Sequence, residues 1–492
     1  MVKRTTRIVL ELVGGLLALT AIVGGVFVWR VAQGPVQLDF LTPRIESALS
    51  EGAGGFDVQV GTTVLAWEGW PETFALRVRD LSARRDGQTV ASLPAVDLRL
   101  SLSALVRGTV APTAVTGRGA NLTIVRDADG LRFAGDRRSV QPPPPAERAR
   151  GEGASAVVPA LLDDLMAAPG PDRPLSYLNS LRVVRTRITL RDEVLDQTWV
   201  APDASVQLRR TETGIDGQAN LSVALGGQTV RAEARIGYVR GSGRLDVRAA
   251  FDGLRPDALA ARLPLIAQAG RIDMALSGEA EATLALSGEV RAASARLNGR
   301  DGTVAWPELL PEPRPVRRLQ AEVSYDAVAR EASLEALDVA FGAAESGDPT
   351  IRASGSAKML EDGAAAANVK LSATGLNLDR LGDYWPVGMA ADARGWVVPN
   401  IRTGTAERAE LTANLRLPPD GGIYAVELAE LTGTIDYTNL DVHYLRPMPP
   451  VTNVDGTASF TDERFDLQIA RGRLGDLTLP DGDIAITGLH ED

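Results

Sequence analysis

Ala275-Leu276-Ser277-Gly278-Glu279 and Ala285-Leu286-Ser287-Gly288-Glu289 repeat one phrase at a ten-residue spacing. Between them, Ala280, Ala282 and Leu284 alternate with Glu281 and Thr283. Period two puts successive side chains on opposite faces of an extended chain, so this stretch predicts a strand with one apolar face. The repeat length suits one strand plus a turn. Working outward, Phe74, Leu76 and Val78 alternate with Ala75, Arg77 and Arg79, and Leu98, Leu100 and Leu102 with Asp97, Arg99 and Ser101. The pattern recurs at 206–208, 221–225, 245–247, 272–276, 323–325, 369–373, 411–417, 465–469 and 477–479. Turn dipeptides separate the runs: Asp129-Gly130, Gly226-Gly227, Asp252-Gly253, Asp301-Gly302, Asp362-Gly363, Asp455-Gly456 and Asp481-Gly482. Short alternating runs joined by such turns predict antiparallel sheet of twenty or more strands.

Composition removes whole classes of function. The chain has 492 residues and a net charge of −11, so nucleic acid is not an expected partner. Without cysteine there is no disulfide, thiolate zinc site or cysteine nucleophile. Two histidines, His443 and His490, are too few for a histidine metal centre or a Ser-His-Asp triad. No nucleotide-binding loop is present. No cofactor, no metal and no enzymatic activity are expected.

Lys3, Arg4 and Arg7 precede an apolar run from Ile8 to Trp29 with a single charge, Glu11. Twenty-two residues at 1.5 Å each span about 30 Å, the thickness of a bilayer's hydrocarbon. The basic flank keeps the N-terminus in the cytoplasm. A cleaved signal peptide is the competing reading, but the run is long for one and Pro35 follows the candidate site Ala32-Gln33-Gly34. The expected topology is one uncleaved inner-membrane anchor through residues 8–29, with the bulk in the periplasm.

Residues 1–30 form the cytoplasmic tip and anchor, and 31–140 a first β segment with a short helix from Thr42. Residues 141–175 hold a Pro-rich linker and an amphipathic helix with Val158, Leu161, Leu162 and Leu165 at helical spacing. Residues 176–492 form an elongated β region with short helices after Pro256 and around 378–384. Almost every strand has one apolar face, and no long helix exists to cover it. The sheet must curl on itself, pair with a second sheet as in a sandwich, or offer that face to a ligand.

Asp39-Phe40-Leu41-Thr42-Pro43, Ile188–Glu193 and Gly253–Leu259 carry a resemblance that spans nearly the whole chain. Its most specific parts are Tyr384-Trp385-Pro386, Arg394-Gly395-Trp396-Val397, Asn400–Gly404 and Tyr444–Pro450. With these the sequence resembles the YhdP-type branch of the AsmA/TamB-like superfamily. The resemblance implies a transmembrane helix followed by a long, U-shaped antiparallel sheet with a hydrophobic groove. It implies phospholipid as the cargo, carried between inner and outer membrane, with inner- or outer-membrane proteins as partners. The expected lining is Phe74, Leu76, Val78, Leu98, Leu100, Leu102, Leu284, Leu286, Leu371, Phe465, Leu467 and Ile469, with Arg99, Ala285, Ser372 and Gln468 on the other face. Family members that bridge the envelope are longer, so a fragment is the expectation, and a short relative with a partner the alternative.

Competing functions are an assembly factor that docks client β-strands on a sheet edge, and an inert scaffold. Acid pairs such as Asp163-Asp164 and Asp192-Glu193 lack a nucleophile or metal ligand beside them, so a helix's wet face and a turn explain them better. Trp385 and Trp396 are either acyl-chain contacts or core aromatics, the latter favoured. His443 reads as a surface residue. The Asn121 and Asn220 glycosylation patterns read as chance matches in strands.

Overall fold

The computed structural model describes residues 36–37, 42–43, 46, 57–66, 75–85, 88–101, 104, 107, 111–127, 130–133, 157–170, 173–307, 310–342, 348–385, 391–419 and 426–487. The expected anchor, the Pro-rich linker, Phe74 and Leu102 lie outside them. Among the described residues no helix is long and apolar enough to cross a membrane. The described residues are mainly β, with 26 strands and a few short helices among them. It divides into two compact units, Met1–Ala224 with Glu233–Leu245 and Leu286–Gly288, and Leu225–Ala232 with Asp246–Ala285 and Glu289–Asp492.

The first unit begins with β1 (Val36–Gln37), β2 (Asp57–Gln59), β3 (Thr62–Ala66), β4 (Ala75–Arg85) and β5 (Gln88–Leu100). It continues with β6 (Pro112–Arg118), β7 (Asn121–Asp127), β8 (Gly130–Phe133), helix α1 (Val157–Met166), β9 (Ser180–Asp192), β10 (Gln197–Arg210) and β11 (Gly214–Leu225). Next come β12 (Gln228–Val239) and β13 (Arg244–Leu254), whose residues divide between the units. One apolar row runs in register through Leu65, Leu76, Leu98, Val115, Leu181, Leu208 and Gly217. The expectation of a wholly antiparallel sheet is corrected here: β9 pairs in parallel with β6 and with β7. A parallel return needs a long crossover, and the segment holding the expected linker and α1 supplies it. That helix, expected from Val158 to Leu165, forms, and Leu162, Leu165 and Met166 pack on Ile215 and Tyr238.

The second unit starts with α2 (Pro256–Ala260), a 3₁₀ segment Pro264–Arg271, and β14 (Ile272–Asp273). A meander follows: β15 (Leu276–Ala285), β16 (Val290–Val304), β17 (Arg314–Asp326), β18 (Glu331–Phe341), β19 (Thr350–Met359) and β20 (Ala365–Asn377). A helical insert interrupts it, with a 3₁₀ turn Leu378–Arg380, α3 (Leu381–Tyr384) and α4 (Ala391–Asn400). The meander resumes with β21 (Thr405–Leu417), β22 (Glu427–Val442), β23 (Val451–Thr461), β24 (Arg464–Leu474), β25 (Leu477–Leu479) and β26 (Gly482–Thr487). The opening phrase repeat resolves simply. Its first copy starts β15, and its second makes the turn into β16.

Gly226-Gly227 and Asp362-Gly363 sit between strands, Asp481-Gly482 leads into β26 and Gly130 opens β8, with Asp129 outside the described residues, but the other three dipeptides do not mark turns. Asp252-Gly253, Asp301-Gly302 and Asp455-Gly456 lie inside β13, β16 and β23. Asp301 takes a left-handed φ of 51°, and on the side of β14 and β15 Gly299 pairs with Leu276 and Thr303 with Asp273, so three residues of β16 stand opposite two. This is a bulge, an extra residue that bends the strand. A Cβ on Gly302 would stand 2.6 Å from the Asp273 carbonyl oxygen, which is why glycine follows the bulge. Bulges recur at Glu407, Thr438-Asn439 and Asp455, on three consecutive strands near the same strand ends.

Candidate functional site

The second unit carries an apolar face of unusual continuity. One row passes in register through Gly278, Leu297, Ala321, Leu337, Ala353, Leu371, Leu411, Gly433, Phe460, Phe465 and Ile486. The neighbouring row runs from Leu276 through Gly299, Leu319, Val339, Ile351, Ala373, Ala409, Ile435, Ala458 and Leu467 to Ile484. Each row crosses β15 to β24 and then β26, which at strand spacing is about 48 Å. Alternation in each strand produces the face, and the antiparallel pairing keeps these two rows aligned across eleven strands, with the register shifts falling outside them.

The opposite face is polar and self-satisfied. Glu322 pairs with Arg296 at 2.7 Å, and Asp338 lies between Arg318 at 2.7 Å and Arg352 at 3.0 Å. Asn368 donates to Asn414 at 2.7 Å, and Asn414 donates to Glu430 at 2.8 Å. Those ladders mark it as the water side. A shallow hollow of about 410 Å³ also opens there, among Thr412, Thr432, Thr434 and Ser459. It belongs to the polar face and adds nothing to the apolar one.

Packing on the apolar face is uneven. Met274, Leu276, Val316, Leu319, Val339 and Phe341 form a buried cluster towards one set of strand ends. Tyr437, Leu440, Val454 and Ala458 form another, with Phe465, Leu467 and Ile469 against it. Between them, Leu297, Ala321, Leu337, Ala353, Leu371 and Leu411 are only half-buried, and on β26 Ile484 and Ile486 are exposed. A ladder of apolar side chains left partly wet is costly at roughly 25 cal/mol per Å² unless something apolar occupies it.

The described lining residues separate into four groups. Leu284, Leu371, Phe465, Leu467 and Ile469 lie on this apolar face, half-buried. In the first unit Leu98 is half-buried on its own apolar row and Leu100 is half-buried at the end of β5. Leu76 and Val78 also face inward, but they are sealed into a core with Val58, Val60, Leu65 and Val96, and Val78 is 0% exposed. A closed position of that kind offers no surface to a ligand. Leu286 follows β15 rather than belonging to it, and packs against the α1 cluster; Ala285, expected on the wet face, is buried.

The helical insert holds the main concentration of charge. Tyr384 donates from its hydroxyl to Asp348 at 2.5 Å, and its ring meets Phe341 edge-on at 5.4 Å. Arg314 and Arg380 sit 5.5 and 5.9 Å from the same ring, and Arg314 reaches Asp383 at 2.9 Å. Arg380 also pairs with Asp348. The cluster pins the insert to the end of β17 by pairing the buried Arg314 guanidinium with Asp383, although its Nε is left without a hydrogen bond. Burial, then the bond to Asp348, pushes the Tyr384 phenol well above its ordinary value. A raised phenol favours folding fully below about pH 10 and loses that contribution as the pH rises beyond it. Tyr384→Phe is therefore expected to cost about 1 kcal/mol at neutral pH and to flatten the alkaline fall in Tm above about pH 10, read by thermal scans.

The remaining candidates are structural. Asp192 is buried, pairs with Arg126 at 2.9 Å and accepts from the amides of Val194 and Leu195, fixing the β9–β10 turn. Asp164 lies 3.8 Å from Arg173. Among the described residues no acidic or histidine cluster could hold a metal. His443 uses its backbone amide to reach the Asn400 carbonyl at 2.8 Å. Trp385 is half-buried, whereas Trp396 is exposed on α4 and is no core aromatic. Sequence reasoning missed α4, which holds Gly395 and Pro399 and no apolar stripe.

Residues 244–492 match the family model described as YhdP protein. No curated protein and no solved structure matches the chain.

Proposed function

The chain belongs to the YhdP family, and from that premise we propose that it is a membrane-anchored lipid-transfer protein of the bacterial envelope. Its N-terminal apolar run holds it in the inner membrane, and its sheets lie in the periplasm. Phospholipid acyl chains rest on the apolar face while head groups stay in water at its rim. Each methylene kept from water contributes about 0.8 kcal/mol, so a lipid on the face avoids the cost of crossing water bare. The protein does no chemistry, and a lipid gradient or a partner protein supplies direction. The observation that carries this reading is the half-wet apolar ladder across β15–β24 and β26, with every charged ladder on the other side.

Full-length protein reconstituted in vesicles is expected to speed the passage of a fluorescent phospholipid to acceptor vesicles. Passage no faster than from protein-free vesicles would reject the proposal. The assembly-factor reading retains one observation: β26 pairs on one side with β24, and no other partner for it appears among the described residues. Client strands bound there would cross-link from Ile484 and Ile486 and leave Leu371 untouched.

A further inference from the structure

We propose that the rim built from α4 and the 443–450 loop is a docking surface for an anionic lipid bilayer. The two ends of the second unit's strands are unlike. At one end the connections run through 305–313, 342–349, 378–404 and 443–450; at the other they are 286–289, 327–330, 360–364, 418–426 and 462–463. Among the described residues the helical insert of the meander lies at the first end, and loops on a rigid sheet are where binding surfaces are built.

Two of those connections meet. The His443 amide donates to the Asn400 carbonyl at 2.8 Å, and Arg446 reaches the Pro399 carbonyl at 3.5 Å. Asn400 in turn donates to the Trp396 carbonyl at 2.9 Å, and the Met448 amide closes a turn on Leu445 at 2.9 Å. This frame holds Trp396, Tyr444, Leu445 and Met448 outward, with Leu445 60% exposed. Large apolar and aromatic tips grouped on a surface mark contact with another phase or molecule.

The charges beside them select the partner. Arg402 and Arg446 are exposed, donate only to carbonyl or amide oxygens, and have no carboxylate partner among the described residues. On the polar face, by contrast, Arg296, Arg318 and Arg352 are paired. Unpaired guanidinium beside exposed Trp, Tyr and Leu is the chemistry of a bilayer interface. The rings and aliphatic tips enter the head-group layer and the cations meet phosphate. In a chain of net charge −11, an anionic bilayer would repel most of the surface, so a basic, apolar spot defines where contact occurs. Docking here does not require lipid on the sheet, so it stands or falls apart from the transfer function.

The absence of cysteine allows single labelling sites. Leu445→Cys and, at the opposite rim, Val328→Cys (90% exposed) would each carry an environment-sensitive dye on the full chain, held in neutral phosphatidylcholine nanodiscs. Vesicles containing phosphatidylglycerol should blue-shift the dye at 445 and leave the dye at 328 unchanged. Phosphatidylcholine vesicles should do neither. Added salt should reverse the shift, and Arg402→Gln with Arg446→Gln should weaken it by about tenfold or more. Equal responses at both sites, or none at 445, would overturn the proposal. A shift at 445 that needs no vesicles and grows with protein concentration would assign the surface to a second copy of the chain instead.

Discussion

Leu371→Asp should fold normally and lose lipid. Leu371 sits in the middle of the apolar ladder, between Ala353 on β19 and Leu411 on β21, all three half-buried. Because water already reaches this position, a carboxylate there keeps much of its hydration, and stability should fall by about 1 kcal/mol. An acyl chain laid along the ladder would meet that charge directly. Phospholipid retained by the purified protein should therefore drop by about tenfold, at unchanged abundance and circular dichroism. Ser372→Asp faces the other way, beside Arg352 and Glu410, and should change neither quantity. Equal lipid loss in both variants would deny that the two faces differ in function.

Val78→Asp should fail at an earlier stage. The same substitution places the same charge on an apolar face, but Val78 is fully enclosed by Val58, Val60, Leu65 and Val96. The site is enclosed by apolar side chains, so the cost is several kcal/mol, comparable to the whole stability of a domain. Degradation in cells and loss of the β signature in the purified chain are the expected results. A well-folded Val78→Asp would mean that the first unit's face is open after all.

The contrast between these two residues locates the limit of sequence reading. Both stand in clean alternating runs, and alternation reports which face a side chain takes. Whether that face is covered depends on residues distant in the chain: Val58 and Val60 pack with Val78 in one buried cluster, and among the described residues Leu371 belongs to no such cluster. Strand existence was legible for the same local reason, as at 411–417 within β21. Asp-Gly dipeptides were only half legible. The left-handed residue that makes a turn at Asp362-Gly363 makes a bulge at Asp301-Gly302, and only the register of neighbouring strands separates the two. The parallel pairing of β9 was hidden because alternation does not encode direction. Helix α4 was hidden because it buries no apolar stripe, and Trp396, which aromatic character assigned to a core, points outward from it.

Photo-cross-linking along one strand tests the central claim most directly. A photoreactive phenylalanine analogue placed in turn at Val369, Lys370, Leu371, Ser372 and Ala373 of the full chain in living cells would report which side chains of β20 meet radiolabelled phospholipid. The apolar face serving as the lipid path predicts strong adducts at 369, 371 and 373 and background at 370 and 372. Adducts that ignore this alternation, or that are absent from all five positions, would contradict it.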